Sequence, residues 1–433
     1  MKNQLDKILI SYNQPDFKKR LEKLRYEIMR EAWFLVGDDR QVIDIIREVK
    51  KRGDEAIVEY TKKFDRVELT PEQFKVSEGD LEKAHKEIDK DLLASIRQSI
   101  ENVRKYQKEI FIGKFKHPGI KYTPIESVGI CIPGASAPLP STVIMTAVPA
   151  QVADVERIVV VSPPRYKGSI HPTILAVCYE LGIDEVLRVG GAQAVAALAF
   201  GTNTILRVDK IVGPGNQWVQ TAKREVFGIV GVDSIAGPSE VLIIANEKAN
   251  PAWVAADMLS QAEHSPGSAV VFTDSQKLAE KILNELKSQV QKLSRDRQTI
   301  ECLEKYSAIA VFKDIDDVVH EANDFAAEHL EIHCGESSKE IAKYVKNAGA
   351  IFIGDYSPVA VGDYWAGPSH TLPTGTTARF FSALSANDFI KSTSIIEYSK
   401  KQLTESAEDI IRLAEAEGLD AHAKSVKIRQ VDT

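Results

Sequence analysis

From Arg157 onward the chain repeatedly alternates a short β-branched apolar run with a helix-patterned stretch. This alternation constrains the fold more than any other feature. Arg157–Ser162 (RIVVVS) is followed by helix-like Pro172–Leu181, strand-like Glu185–Val189, helix-like Ala192–Phe200, strand-like Lys210–Val212 and helix-like Gln217–Phe227. A second series opens at Glu240 (EVLIIAN), and its first helix has Asn250 as cap and Pro251 in the first turn. Strand-like Ala269–Thr273, a helix near Ser275–Leu293, strand-like Ala308–Phe312 and a helix near Asp314–Ala327 come next. Strand-like Leu330–Cys334, a helix near Ser337–Asn347 and strand-like Ala350–Ile353 complete it. Strands apolar on every residue are buried on both faces, and helices between them supply the crossovers of parallel pairing. The expectation is two α/β units with largely parallel sheets.

The rest of the chain reads differently. The first hundred residues are helical in pattern with one interruption: Gln41–Arg52 carries Val42, Ile43, Ile45, Ile46 and Val49 and stops at Gly53, and Leu81–Gln107 is a second long helix. Val128–Thr142 is a Pro/Gly/Ser segment, and helix returns after Asn387. At 433 residues two or more domains are expected. A net charge of −7 argues against nucleic acid or an anionic membrane as the main partner. The opening MKNQLDKILI has no apolar core of the signal-peptide kind, and no stretch is apolar enough to span a bilayer. Cys131, Cys178, Cys302 and Cys334 are scattered without a CxxC pair, so a reducing cytoplasm is expected.

Several segments carry groups capable of chemistry. In LSQAEH (Leu259–His264), just before Ser265-Pro266-Gly267, Gln261 and His264 are three residues apart at a helix end and share a face. They form half of a metal site or, taken alone, a terminal His satisfying the last carbonyls. Gly190-Gly191-Ala192-Gln193 and Gly213-Pro214-Gly215-Asn216 are strand-to-helix turns, where α/β folds bind ligands. Neither is GxGxxG, and spacing alone leaves a cofactor site and a plain tight turn evenly matched. Ala236-Gly237-Pro238-Ser239-Glu240 lies at the junction of the halves, with Ser239 a hydrogen-bond donor or a turn residue. Glu328-His329 offers two bases with ordinary pKa values near ~4.3 and ~6.5, against the plainer reading of a helix-end Glu and a strand-start His. Residues 354–377 have no clear periodicity and hold Gly362-Asp363-Tyr364 and Ser369-His370; Asp363 is a ligand or an Asx-turn residue. In EAEGLDAH, Gly418 should end a helix holding Glu417 and leave His422 on an irregular segment.

Taken together, GGAQAVAALAFGT, VGPGNQWVQTAKREV, AGPSEVLIIA, LSQAEH, EHLEI and GDYWAGPSHTLPT resemble the histidinol dehydrogenase family over nearly the whole chain. The resemblance implies two incomplete Rossmann-like, doubly wound α/β domains with helical N- and C-terminal extensions. The implied division is a helical region 1–127 that partly packs on the second α/β unit, a first α/β domain 128–237 on the NAD side, a second 238–380 carrying zinc and catalysis, and a tail 381–433 swapped between subunits. It implies the four-electron oxidation of L-histidinol to L-histidine through bound histidinaldehyde, reducing two NAD⁺, as the last step of histidine biosynthesis. One Zn²⁺ per subunit would be held by Gln261, His264, Asp363 and His422 and would orient the substrate's amine and imidazole. His329 would take the alcohol proton and contact substrate, and Glu328 would activate water. Ser239, His370 and Glu417 match substrate contacts, and Gln193 and Asn216 match NAD contacts. The family forms a homodimer whose tail completes the partner's site.

Three departures stand out. Cys131 occupies the place of a tyrosine that contacts NAD in the family, Ala135 replaces a glycine, and Ala326-Ala327-Glu328-His329-Leu330 lacks the proline of APEHL. Three other readings compete: a paralogue acting on another small polar alcohol, a zinc hydrolase in which Glu328 activates water without NAD, and a catalytically silent metabolite-binding protein.

Overall fold

The computed structural model describes residues 5–32, 39–134, 138–264, 266–294 and 296–430. After a short strand β1 (Leu9–Ser11) and a second, β2 (Ile120–Pro124), the chain builds its first sheet. Five parallel strands form it: β3 (Ser127–Cys131), β4 (Arg157–Val161), β5 (Glu185–Leu187), β6 (Lys210–Val212) and β7 (Gly231–Val232), in the order β5-β4-β3-β6-β7. The second sheet contains β8 (Glu240–Ala245), β9 (Ser268–Thr273), β10 (Ala308–Val311), β11 (His329–His333) and β12 (Ala350–Ile353), with β1 added at one edge. Its order, β1-β10-β9-β8-β11-β12, repeats that of the first sheet once β1 is set aside. Each sheet therefore turns back beside its first strand, β3 against β6 and β8 against β11, the arrangement that makes a switch point in doubly wound folds.

Both sheets are covered on both faces, and for that reason their strands read as unbroken apolar runs. Val128, Ile130 and Val160 pack with the helices Pro140–Val152 and Pro172–Glu180. Val159 and Val161 face the helices Arg40–Arg52 and Gly191–Phe200. In the second sheet Val241 and Ile243 meet the helices Pro251–Ala262 and Gln276–Gln289, while Leu242 and Ile244 meet Phe17–Ala32 and Ile315–Phe325. Each such Val or Ile contributes about 1.5–3 kcal/mol on full burial. Strand β11 breaks the rule on one face. Leu330 and Ile332 join the apolar core, but His329, Glu331 and His333 alternate with them and form a buried polar row.

The described residues divide into two compact units, Met1–Ile112 with Pro124–Ile390, and Gly113–Thr123 with Lys391–Thr433. In the smaller unit β2 pairs with β13 (Ile390–Ser394), and the helices Lys400–Ala416 and Asp420–Lys427 pack on each other.

Five local expectations need correction. The N-terminal stretch is not purely helical, because β1 extends the second sheet by pairing with β10; three residues carry no periodic signal of their own. The long helix expected over Leu81–Gln107 is two, Glu78–Glu87 and Lys90–Ile110, the second capped by Asp89. The Pro/Gly/Ser segment contains the central strand β3 and the start of Pro140–Val152, whose residues 141–150 are all buried and so show no amphipathic period. Residues 354–377 include the helix Val359–Tyr364, which places Asp363 on a helix and removes the Asx-turn alternative. Gly418, at φ +71°, does end the preceding helix, but His422 lies on the next one, Asp420–Lys427, rather than on irregular chain.

Candidate active site

At the carboxyl edge of the first sheet lies a cavity of about 600 Å³. Cys131 at the end of β3, Gln193 in the first turn of Gly191–Phe200 and Asn216 after β6 line it, as does His264 from the second half. Asn216 caps the helix Gln217–Val226: its Oδ1 accepts from the Val219 amide at 3.2 Å, leaving the amide N–H groups to donate. The preceding turn is clamped by a buried ion pair between Lys223 and Asp233. Asp233 accepts from the Gly213 amide at 2.7 Å, and Lys223 Nζ donates to the Gly213 carbonyl at 3.0 Å. Burial pushes the Cys131 thiol up to about 12, so it is a small neutral lining group rather than a nucleophile. Ala135 lies outside the described residues.

The second half presents its reactive groups at the opposite edge, where its strands begin. Ser239 precedes β8 and Glu328 precedes β11, the two strands that meet at the switch point. Ala326, at φ +50°, caps the helix Ile315–Phe325 and turns the chain toward Glu328; this left-handed conformation costs a non-glycine residue about 1–2 kcal/mol. Glu328 is buried, and its Oε2 accepts from Ser239 Oγ at 2.6 Å and from the Glu240 amide at 2.9 Å. Burial raises its pKa against the lowering influence of His329 and of these donors, which moves a carboxylate base toward neutrality. Glu240 is deeper still: burial first and the Glu328 charge second push it up to about 8, while its Oε1 accepts from the Gly375 amide at 2.7 Å.

His329 Nδ1 lies 3.0 Å from the Glu240 carbonyl oxygen. A carbonyl only accepts, so Nδ1 carries the hydrogen and Nε2 keeps its lone pair. Nε2 is buried without a hydrogen-bond partner, 3.8 Å from Asp363 Oδ1. Two acceptors that face each other at this distance suit a hydroxyl donor or a cation between them. His370 Nε2 lies 3.3 Å from Thr142 Oγ1, and desolvation lowers its pKa against the opposing effect of Asp363. Asp363 is brought close by Gly362: a Cβ there would come within 2.7 Å of the Phe352 ring, which itself packs on the His329 ring with centroids 5.9 Å apart.

Gln261 and His264 sit at the end of Pro251–Ala262, where Gly267 passes so near that a Cβ would lie 2.2 Å from the Gln261 carbonyl oxygen; Ser265 lies outside the described residues. Gln261 is buried and its Nε2 has no partner. An amide flip would put its oxygen in that place, where a cation would satisfy it. An amide oxygen, an imidazole and a carboxylate are donors of kinds that Zn²⁺ takes; His264 is exposed, and Asp363 faces His329. Contacts thus join Ser239, Glu328, His329, Asp363 and the Glu240 backbone, with His370 beside Asp363, and the cavity joins Cys131, Gln193, Asn216 and His264. Glu417 and His422 belong to the smaller unit, where both are exposed.

The histidinol dehydrogenase family model matches residues 37–430. The chain belongs to the histidinol dehydrogenase family. It is 46% identical over 421 residues to a histidinol dehydrogenase of Geobacillus kaustophilus, covering 95% of this chain and 99% of the relative. It is 48% identical over 398 residues to that of Caldanaerobacter subterraneus subsp. tengcongensis, covering 90% and 92%. The crystal structure of histidinol dehydrogenase from Elizabethkingia anophelis superposes with a TM-score of 0.87 at 34% identity, covering 97% of this chain and 98% of that one. The two incomplete doubly wound domains with helical extensions are the fold of this family.

Some groups that shape the site escaped the sequence reading. Glu240 opens a strand-like run, and nothing in that run signals that its carboxyl is buried. Lys223 and Asp233 are not singled out by the sequence, since no local pattern reveals that a Lys is buried. Glu331 and His333 had an available signal: polar residues at alternate positions in an otherwise apolar strand.

Proposed function

We propose that this chain catalyses the NAD-dependent, four-electron oxidation of L-histidinol to L-histidine, the last step of histidine biosynthesis. The observation that carries the reading is the arrangement of His329 and Glu328, two bases held by different partners at one switch point. His329, with Nδ1 fixed by the Glu240 carbonyl, offers Nε2 to take the alcohol proton. Glu328, its pKa raised by burial, takes a proton from the water that attacks the aldehyde. Ser239 orients Glu328, and with His370 and Glu417 it contacts substrate. NAD⁺ would supply the hydride acceptor for both oxidations, and Cys131, Gln193 and Asn216 in the cavity would hold it. Gln261, His264, Asp363 and His422 would hold one Zn²⁺, which supplies positive charge to orient the substrate nitrogens.

The domain division follows the chemistry, with residues 128–237 on the cofactor side, 238–380 on the zinc and catalytic side, and 1–127 and 381–433 as helical extensions. His422 and Glu417 act across a homodimer, the tail of one subunit completing the site of the other. The enzyme works in the cytoplasm, in keeping with four free, buried cysteines; no described helix is long and apolar enough to cross a membrane. Product analysis tests the reading: with histidinol, NAD⁺ and zinc, two NADH form per histidine. Accumulation of the aldehyde, or no turnover of histidinol, would overturn it.

A further inference from the structure

Along β11, starting from His329, runs a buried polar row. Glu331 is fully buried, and its two oxygens point to different partners. Oε1 accepts from the Val359 amide at 2.9 Å, and Oε2 lies 3.3 Å from His333 Nε2. Val359 is the first residue of the helix Val359–Tyr364, whose cap position is Pro358 and whose fifth residue is Asp363. The first amides of a helix have no partner within it, and Pro358 has no side-chain acceptor, so the Glu331 carboxylate ties the start of this helix to the sheet.

The far side of the row is flanked by two further carboxyl groups at ion-pair distance. His333, also fully buried, has Asp257 Oδ2 3.7 Å from Nε2 and Asp355 Oδ1 3.4 Å from Nδ1. Asp257 stands four residues, about one helical turn, before Gln261 on Pro251–Ala262. One buried network thus reaches the helix that carries Gln261, the helix that carries Asp363, and, two residues along β11, His329.

We propose that Glu331 is a positioning residue for the zinc site: by holding the Val359 amide it fixes the helix that presents Asp363. This rests on the reading of Asp363 as a zinc ligand. Groups that orient metal ligands change affinity when lost by about 10–100-fold, and Glu331 is placed to act in this way without touching the metal.

The test measures zinc affinity by chelator competition on the full-length protein, alongside thermal unfolding of the zinc-free form. Glu331→Gln keeps an oxygen for the Val359 amide and retains zinc affinity within about threefold of wild type, whereas Glu331→Leu weakens it about 10–100-fold. If Glu331→Leu fails to fold, Val359→Pro carries the test. It removes the donor together with a buried valine side chain, whose packing loss the zinc-free unfolding reports separately, and proline suits the first helical position; it weakens zinc binding by a similar factor. Wild-type affinity in both Glu331→Leu and Val359→Pro, with only the unfolding temperature lowered, would reduce Glu331 to a structural residue and overturn the proposal. So would a second equivalent of zinc bound by wild type and lost in Glu331→Leu, since Asp257, Glu331 and His333 hold ligand atoms within 4.8 Å of one another and would then be a metal site themselves. Asp363→Ala separates the two levels. Tight zinc in Asp363→Ala overturns the ligand assignment and the proposal together, while its loss there beside tight zinc in Glu331→Leu overturns the proposal alone.

Discussion

The two halves of this molecule share one strand order and use opposite edges of it. In the first half the carboxyl edge is hollow: β3 ends in Cys131 and the turn after β6 brings Asn216 to the cavity. In the second half the working groups precede the strands, Ser239 before β8 and Glu328 before β11. The carboxyl edge of an open α/β sheet suits a ligand that needs room and exposed amides. The amino edge of the second sheet is closed and packs its carboxyl groups away from water, which is how Glu328 and Glu240 come to have raised pKa values. Topology alone does not assign function to an edge. What differs is which edge is left hollow and which is filled with titratable groups.

The largest effect that could break this comparison comes from the proposed metal ligands. His264→Ala and His422→Ala are expected to lose zinc and activity together, by at least about 100-fold in kcat. Metal analysis after dialysis checks this, and full zinc occupancy in both variants would refute the assignment. On the proposed cofactor side, Cys131→Tyr supplies the ring that the family resemblance implies at this position. A stacking contact of about 0.5–1.5 kcal/mol corresponds to NAD⁺ binding tightened about two- to tenfold, read by titration calorimetry. Unchanged or weaker affinity would show that the cavity is already complete with cysteine.

An effect on stability rather than on binding sharpens the contrast at the closed edge. Glu240 binds its proton in the folded state up to about pH 8, whereas the unfolded chain releases it near the ordinary value of 4.5. Between those limits the folded state holds more protons, so this group lowers stability as pH rises, by up to about 1.4 kcal/mol per unit. Below that window the loss disappears. Glu240→Gln keeps an oxygen for the Gly375 amide and is expected to flatten the decline in Tm between pH 5 and 8, as followed by calorimetry. An unchanged slope would mean that Glu240 is ionised in place.

Much of the fold was legible because parallel strands buried on both faces announce themselves as apolar runs. β4, β6, β9 and β12 fall where the pattern puts them, within a residue or two. What escaped was structure without local periodicity: β1, which borrows its ladder from β10, and Pro140–Val152, buried on every side over residues 141–150. In the site, glycine turns and Glu-His pairs were visible as residue types. The state of each group was not, because it depends on distant neighbours. Nothing near Glu328 in sequence tells that Ser239 and the Glu240 amide would hold it, 89 and 88 positions away. His329 depends likewise on a carbonyl 89 positions earlier for its tautomer.

The central claim is a division of labour, with cofactor bound by the carboxyl edge of the first half and proton transfer performed at the amino edge of the second. NAD⁺ titration of His329→Ala tests it most directly, with turnover and zinc content measured on the same sample. The account predicts NAD⁺ affinity and zinc unchanged while kcat falls about 10²–10⁴-fold. Loss of NAD⁺ binding in step with turnover would contradict it, because the two edges would then be one site.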